Sequence, residues 1–124
     1  MGYRSDVAYV IKFDDIQTRD AYVTLMLAND NEYVRSAMEE DCEYHYTNDP
    51  IITFRDDDTK WYDSYPEVIA HTFIYRNAYE LKMGSYRFLA IGEDGAEDFD
   101  QEELHDMHNM YDYVFAVHKL QCNF

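Results

Sequence analysis

Two histidines, His105 and His108, stand three positions apart in Glu102-Glu103-Leu104-His105-Asp106-Met107-His108. On a helix that spacing puts both imidazoles on one face, with Glu102 and Asp106 near enough to add oxygen ligands. Zinc sites usually declare themselves through more ligands at fixed spacings, and this pair has no third strong ligand. It reads more readily as two solvated histidines on an acidic face. Other chemistries leave fainter traces. Nucleophilic catalysis needs an activated Ser, Cys or Thr beside a base, yet no nucleophile elbow surrounds any serine, Cys42 opens a predicted strand, and Cys122 is close to the C-terminus. Phosphate cradling needs glycine-rich turns at helix starts, whereas the four glycines are scattered, with Gly92 and Gly95 among acids. The Asp94–Asp100 cluster lacks the spacing and glycine of an EF-hand loop. The sequence therefore predicts no enzyme and no cofactor, with His105 and His108 as the one candidate metal pair.

Charge is the stronger signal. Between Arg87 and Lys119 lie nine acids and no Lys or Arg: Glu93, Asp94, Glu97, Asp98, Asp100, Glu102, Glu103, Asp106 and Asp112. Residues 93–124 carry a net −8, half of the chain's −16. Asp56, Asp57 and Asp58 form a second block, and the pairs Asp14-Asp15 and Glu39-Glu40 fall at predicted element ends. A field of this sign repels nucleic acid and anionic membranes and attracts cations and basic proteins. Carboxylates spaced like phosphates compete for the Lys and Arg clefts that bind nucleic acid, which is DNA mimicry. Adaptation to high salt would give a similar bias.

The elements that would position these groups follow from the pattern. At 124 residues, 47% apolar, with 13 Tyr, 7 Phe and 1 Trp, the chain is too aromatic for an acidic disordered tail, and one domain over residues 1–124 is expected. Cys42 and Cys122 are expected as free thiols in a reducing cytoplasm. No apolar run approaches membrane-spanning length. Ser5–Phe13 alternates as a strand with both faces largely apolar, which suits a central position. A helical stripe runs from Val23 to Met38, capped by Thr18 and interrupted at Asp30-Asn31. Residues 42–47 and 51–55 read as a hairpin around Asn48-Asp49-Pro50, ended by Asp56–Asp58. Ser64 and Pro66 open a second helix with Ala70, Phe73, Ile74, Ala78 and Leu81 as its buried stripe, stopped by Gly84. Tyr86–Ile91 and Tyr111–Lys119 are further strands, with a short helix over Glu102–Met110 between them. The order predicts an α+β fold: a ferredoxin-like β-α-β-β-α-β plan with one appended strand, an antiparallel sheet with helices on one face and the other face open.

Three segments, Met1-Gly2-Tyr3-Arg4-Ser5-Asp6-Val7, Lys60-Trp61-Tyr62-Asp63-Ser64-Tyr65-Pro66, and Tyr86-Arg87-Phe88 followed by Ile91-Gly92-Glu93-Asp94, resemble those of small acidic tailed-bacteriophage proteins, in the same order. None of these motifs is catalytic. The resemblance implies a setting, the infected bacterial cytoplasm. By analogy it implies an inhibitor of host DNA-handling machinery such as a CRISPR effector, restriction enzyme, nuclease or gyrase. The expectation is a non-enzymatic inhibitor that mimics DNA and does not bind nucleic acid or membrane itself. Its contact surface would be Glu93, Asp94, Glu97, Asp98, Asp100, Glu102, Glu103 and Asp106, with Asp56–Asp58 as a second patch. The alternative is an assembly protein that forms a homodimer through the open sheet face, and a metal-dependent enzyme at His105 and His108 ranks last.

Overall fold

In the computed structural model, which describes residues 4–92, 97–104, 114–117 and 119–122, the strand with two apolar faces is central, as its pattern requires. β1 (Ser5–Phe13) pairs antiparallel with β2 (Ile51–Thr59) on one side and β3 (Gly84–Gly92) on the other. β4 (Glu97–Glu103) adds antiparallel to β3, and the sheet order is β2-β1-β3-β4. The fold is α+β with an antiparallel sheet and its helices on one face. Val7, Tyr9, Ile11 and Phe13 point to that face. They pack with Tyr22, Val23 and Met26 of α1 (Ile16–Leu27), Val34 of α2 (Glu32–Ser36) and Ala70, Ile74, Tyr75 and Ala78 of α3 (Pro66–Glu80).

Several local expectations change. Asp15, not Thr18, caps α1: its carboxylate accepts the Thr18 N–H at 2.7 Å. That bond holds the Asp15 carboxyl below its ordinary pKa. Ser64 caps nothing; α3 starts after Tyr65 with Pro66 in its first turn, and no side chain takes the cap bond. Phe73 faces outward and Tyr75 takes the buried place. Leu81 is likewise exposed, and the helix ends through Lys82 in a left-handed conformation (φ 59°). Gly84 begins β3 instead of stopping α3, and a side chain there would be tight for a different reason. A Cβ there would stand 3.0 Å from the Lys12 carbonyl oxygen.

The expected hairpin is absent. Of residues 42–47 only Glu43 bridges to β2, opposite Thr53. Arg19, buried at the head of the α1 stripe, donates to the carbonyls of Tyr46 and Asp49. That segment's acceptors are thus satisfied by a guanidinium in place of a ladder. β2 also does not stop at Asp56–Asp58. It runs on to Thr59 through a bulge opposite β1, with Asp58 at φ 54°. Aspartate tolerates the left-handed region better than most residues. Here the Asp58 N–H is held by the Asp6 carboxylate at 2.9 Å and its carbonyl by Arg4 at 2.8 Å.

The second sheet face is not open. Ala8, Val10, Ile51, Leu89 and Ile91 form a second buried cluster joined by Tyr46 and Cys122. β5 (Val114–Val117) and β6 (Lys119–Cys122) form an antiparallel hairpin against β1 and β3, where one strand was expected. β1 and β3 present apolar side chains on that side too, and the chain covers them itself. No helix among the described residues is long and apolar enough to cross a membrane.

Candidate functional site

The acidic blocks lie on the two outer strands. Asp56 stands opposite Val7, Val7 opposite Ala90, and Ala90 opposite Phe99. One row therefore crosses the sheet from Asp56 to the middle of β4. Three interstrand steps separate the backbones by about 14 Å, so Asp56–Asp58 and Glu97–Asp100 flank the same end of the sheet. Glu97, Asp98 and Asp100 are placed by strand register opposite Ile91 and Leu89 or between them. Glu93, Asp94, Asp106, His105 and His108, and with them the expected helix beyond Leu104, lie outside the described residues.

The side chains that are described are less free than the sequence suggests. Glu102 and Glu103 belong to a strand, not to a loop or exposed helix. Glu102 pairs with the buried Arg87 at 3.6 Å, and Glu103 accepts the Tyr86 hydroxyl. Both tie β4 to β3. Asp57 pairs with Arg55 at 3.0 Å, and Asp58 with Arg4 at 3.9 Å. Of the triplet, Asp56 differs in lining a cavity.

That cavity leads to polar groups the sequence did not single out. His71 projects from the buried side of α3 with only 2% of its surface exposed. Its Nδ1 lies 2.7 Å from the Tyr9 hydroxyl and its Nε2 lies 2.9 Å from Asp41 Oδ2. Tyr9 in turn meets Cys42 Sγ at 3.3 Å. With Nε2–H donated to Asp41, Nδ1 is free to accept the Tyr9 hydroxyl, and that oxygen to accept the Cys42 thiol. One orientation thus satisfies all four groups. Among the described residues no buried side-chain N or O atom lacks a partner.

Asp41 and Cys42, consecutive in the chain, end a π-helical turn, Ala37–Asp41, which closes with the Cys42 N–H on the Ala37 carbonyl at 3.1 Å. Such turns recur at functional sites. Burial pushes the Cys42 thiol up to about 12 and the Tyr9 hydroxyl well above its ordinary value. Both therefore hold their protons at neutral pH, and Cys42 is no nucleophile there. Neither nitrogen of His71 faces solvent, so its geometric effect is to fix Asp41.

The Asp41 side chain is 47% exposed and borders a cavity of about 610 Å³. Trp61 forms another wall, its ring 5.7 Å from Phe54 and 5.8 Å from His71. Tyr65, Asp56, Glu67 and Lys60 complete the rim. Trp61 also borders a second hollow of about 480 Å³ beside Ile69 and Arg76.

A signal for this site did exist in the sequence. His71 lies between Ala70 and Ile74 of a buried stripe, a position where an imidazole must find partners. Its partners, 30 and 62 positions away, carry no local mark. Cys42 and Cys122 are both free thiols. Among the described residues no three of His, Cys, Asp and Glu converge to hold a metal. Comparison with known proteins gives no match to a family model, a curated protein or a solved structure.

Proposed function

We propose that the protein is a non-enzymatic binding module that occupies the nucleic-acid cleft of a basic bacterial protein by presenting carboxylates in place of phosphates. The resemblance in three segments to phage proteins supports an infected bacterial cytoplasm as its setting. One observation carries the reading. With 26 acids against ten bases, at least 16 carboxylates have no Lys or Arg of the same chain to neutralise them. Of the bases that are present, Arg19 and Arg87 are buried, while Arg4 and Arg55, themselves exposed, hold Asp58 and Asp57. The outer strands are left acidic at both edges of one end of the sheet. Charge of this kind steers encounter with a basic cleft, and the resulting complex weakens as salt rises.

The test is competition. Host proteins retained on the immobilised chain at low salt should be nucleic-acid binders, and excess duplex DNA should displace them. The chain alone should not shift a labelled duplex. Retained proteins that duplex DNA leaves in place would overturn the reading, as would direct binding of DNA by the chain. Charge reversal belongs at Asp56, Glu97, Asp98 and Asp100, because Glu102 and Glu103 hold the sheet together and their reversal would confound binding with folding.

A further inference from the structure

We propose that the cavity between Trp61 and Asp41 is an arginine-anchor site, taking one guanidinium side chain of the basic partner over the indole and against the Asp41 carboxylate. The inference rests on the reading above for the sign of the partner, and it adds where and by which group that partner is held.

Trp61 is half-buried and backed by Phe54 and His71, so its ring has a fixed plane and leaves part of its surface to the cavity. Cations favour an indole face above other aromatic surfaces. Asp41 supplies the counter-charge. One of its oxygens is held by His71 Nε2 at 2.9 Å, and the side chain is otherwise nearly half exposed on the cavity wall. A carboxylate fixed from behind loses little freedom when a ligand arrives, which lowers the cost of binding. The chain behind it, His71 to Tyr9 to Cys42, places polar groups where apolar packing would serve stability as well or better. Its product is a positioned Asp41.

The rest of the wall favours a cation. Asp56 and Glu67 add two exposed carboxylates. The two bases on the wall are Arg55 and Lys60, and Arg55 is already matched by Asp57 at 3.0 Å. The volume, about 610 Å³, lies within the range of small-ligand cavities. Arginine suits this place better than lysine. Its planar head stacks on an aromatic ring, sheds water more readily, and spreads its donors so that one can reach Asp41 while others reach Asp56 or Glu67.

Trp61 is the only tryptophan in the chain, so its emission reports on the two hollows it borders, and the Asp41 variant tells this cavity from the other. The probes are three blocked tripeptides, Gly-Arg-Gly, Gly-Lys-Gly and Gly-citrulline-Gly, titrated into the full chain at low salt. The arginine peptide should change Trp61 emission saturably and bind at least about tenfold tighter than the lysine peptide, a difference of ~1.4 kcal/mol. The citrulline peptide, which has the shape without the charge, should leave the emission unchanged.

Asp41→Asn keeps an acceptor for His71 and removes the charge. It should weaken the arginine peptide about tenfold while leaving the thermal midpoint and the lysine response near wild type. Equal responses to arginine and lysine, a response to citrulline as strong as to arginine, or an Asp41→Asn variant that binds arginine unchanged would each overturn the anchor. Host proteins that duplex DNA still displaces would in that case leave the acidic-surface reading standing. Loss of that displacement, with the arginine selectivity intact, would remove the mimic reading and keep the cavity.

Discussion

The hydroxyl of Tyr9 sits in the helix-side core with no access to water and links a histidine to a thiol. Replacing it tests whether the polar chain is coupled. Tyr9→Phe keeps the ring and its stacking on Phe54 but leaves His71 Nδ1 and the Cys42 thiol facing apolar atoms. A buried donor or acceptor stripped of its partner costs about 1–3 kcal/mol, and denaturant unfolding should show a loss of that size. Adding His71→Leu removes the orphaned nitrogen, so the double variant should lose less than the two single losses combined. Strict additivity would mean the groups do not act as a chain. The same burial sets an alkaline limit. Cys42 is pushed from 9.0 up to about 12, and Tyr9, Tyr22 and Tyr86 are raised above 10.0. Above pH 9 the unfolded chain releases protons that the folded chain keeps. The stability these groups contribute is therefore full below that pH and is lost as pH rises toward the folded values. Circular dichroism should show cooperative unfolding that begins above pH 9, and Cys42→Ala should move its onset toward pH 10.

At the scale of elements, close backbone contact decides more than propensity. β3 begins at Gly84 because the strand passes against the Lys12 carbonyl, with Ile11 Cγ2 and Phe13 Cδ2 each 3.2 Å from where a Cβ would be. Unless that carbonyl gives way by a few tenths of an ångström, a side chain here overpacks. Gly84→Ala should therefore cost ~1–3 kcal/mol through overpacking, measured as a lower denaturant midpoint with unchanged slope; wild-type stability would show that the strands can part. Period-two alternation made β1 legible, and apolar stripes made the helices legible to within a few residues, although neither Thr18 nor Ser64 is the cap. What failed were the places where distant groups decide. Asp56–Asp58 look like a strand terminus because aspartate is depleted in strands, but Asp6 and Arg4 hold the bulge from more than fifty positions away. Residues 42–47 alternate like a strand, yet Arg19 takes the carbonyls of Tyr46 and Asp49. Glu102 and Glu103 open a stretch that the sequence predicts as a helix, but they find Arg87 and Tyr86 across the sheet. The Asp41–His71–Tyr9 chain was illegible for the same reason, since its three members come from three elements.

Over the whole molecule, charge and burial pull in opposite directions. Two apolar clusters on the two sheet faces supply cohesion, while a net −16 on 124 residues opposes compaction. Acidic outer strands also discourage edge-to-edge pairing of two copies, so like charge and a self-covered second face both argue for a partner of opposite sign. The balance should be visible in salt. From about 10 mM to about 150 mM the screening length falls from roughly 30 Å to roughly 8 Å. That range spans the ~14 Å between the acidic edges. Screening weakens the repulsion among at least 16 unmatched carboxylates. It weakens the ion pairs of Arg4, Arg55 and Arg87 as well, but those are fewer and shorter. The thermal midpoint should therefore rise over this range, and sodium chloride and potassium chloride should act alike because the effect is one of ionic strength. Asp56→Asn, which removes a carboxylate with no ion pair seen among the described residues, should raise the midpoint at low salt and shrink the salt response. A midpoint that is flat or falls with salt would mean that the carboxylates are neutralised in place, and the surplus charge would no longer be available to a basic partner.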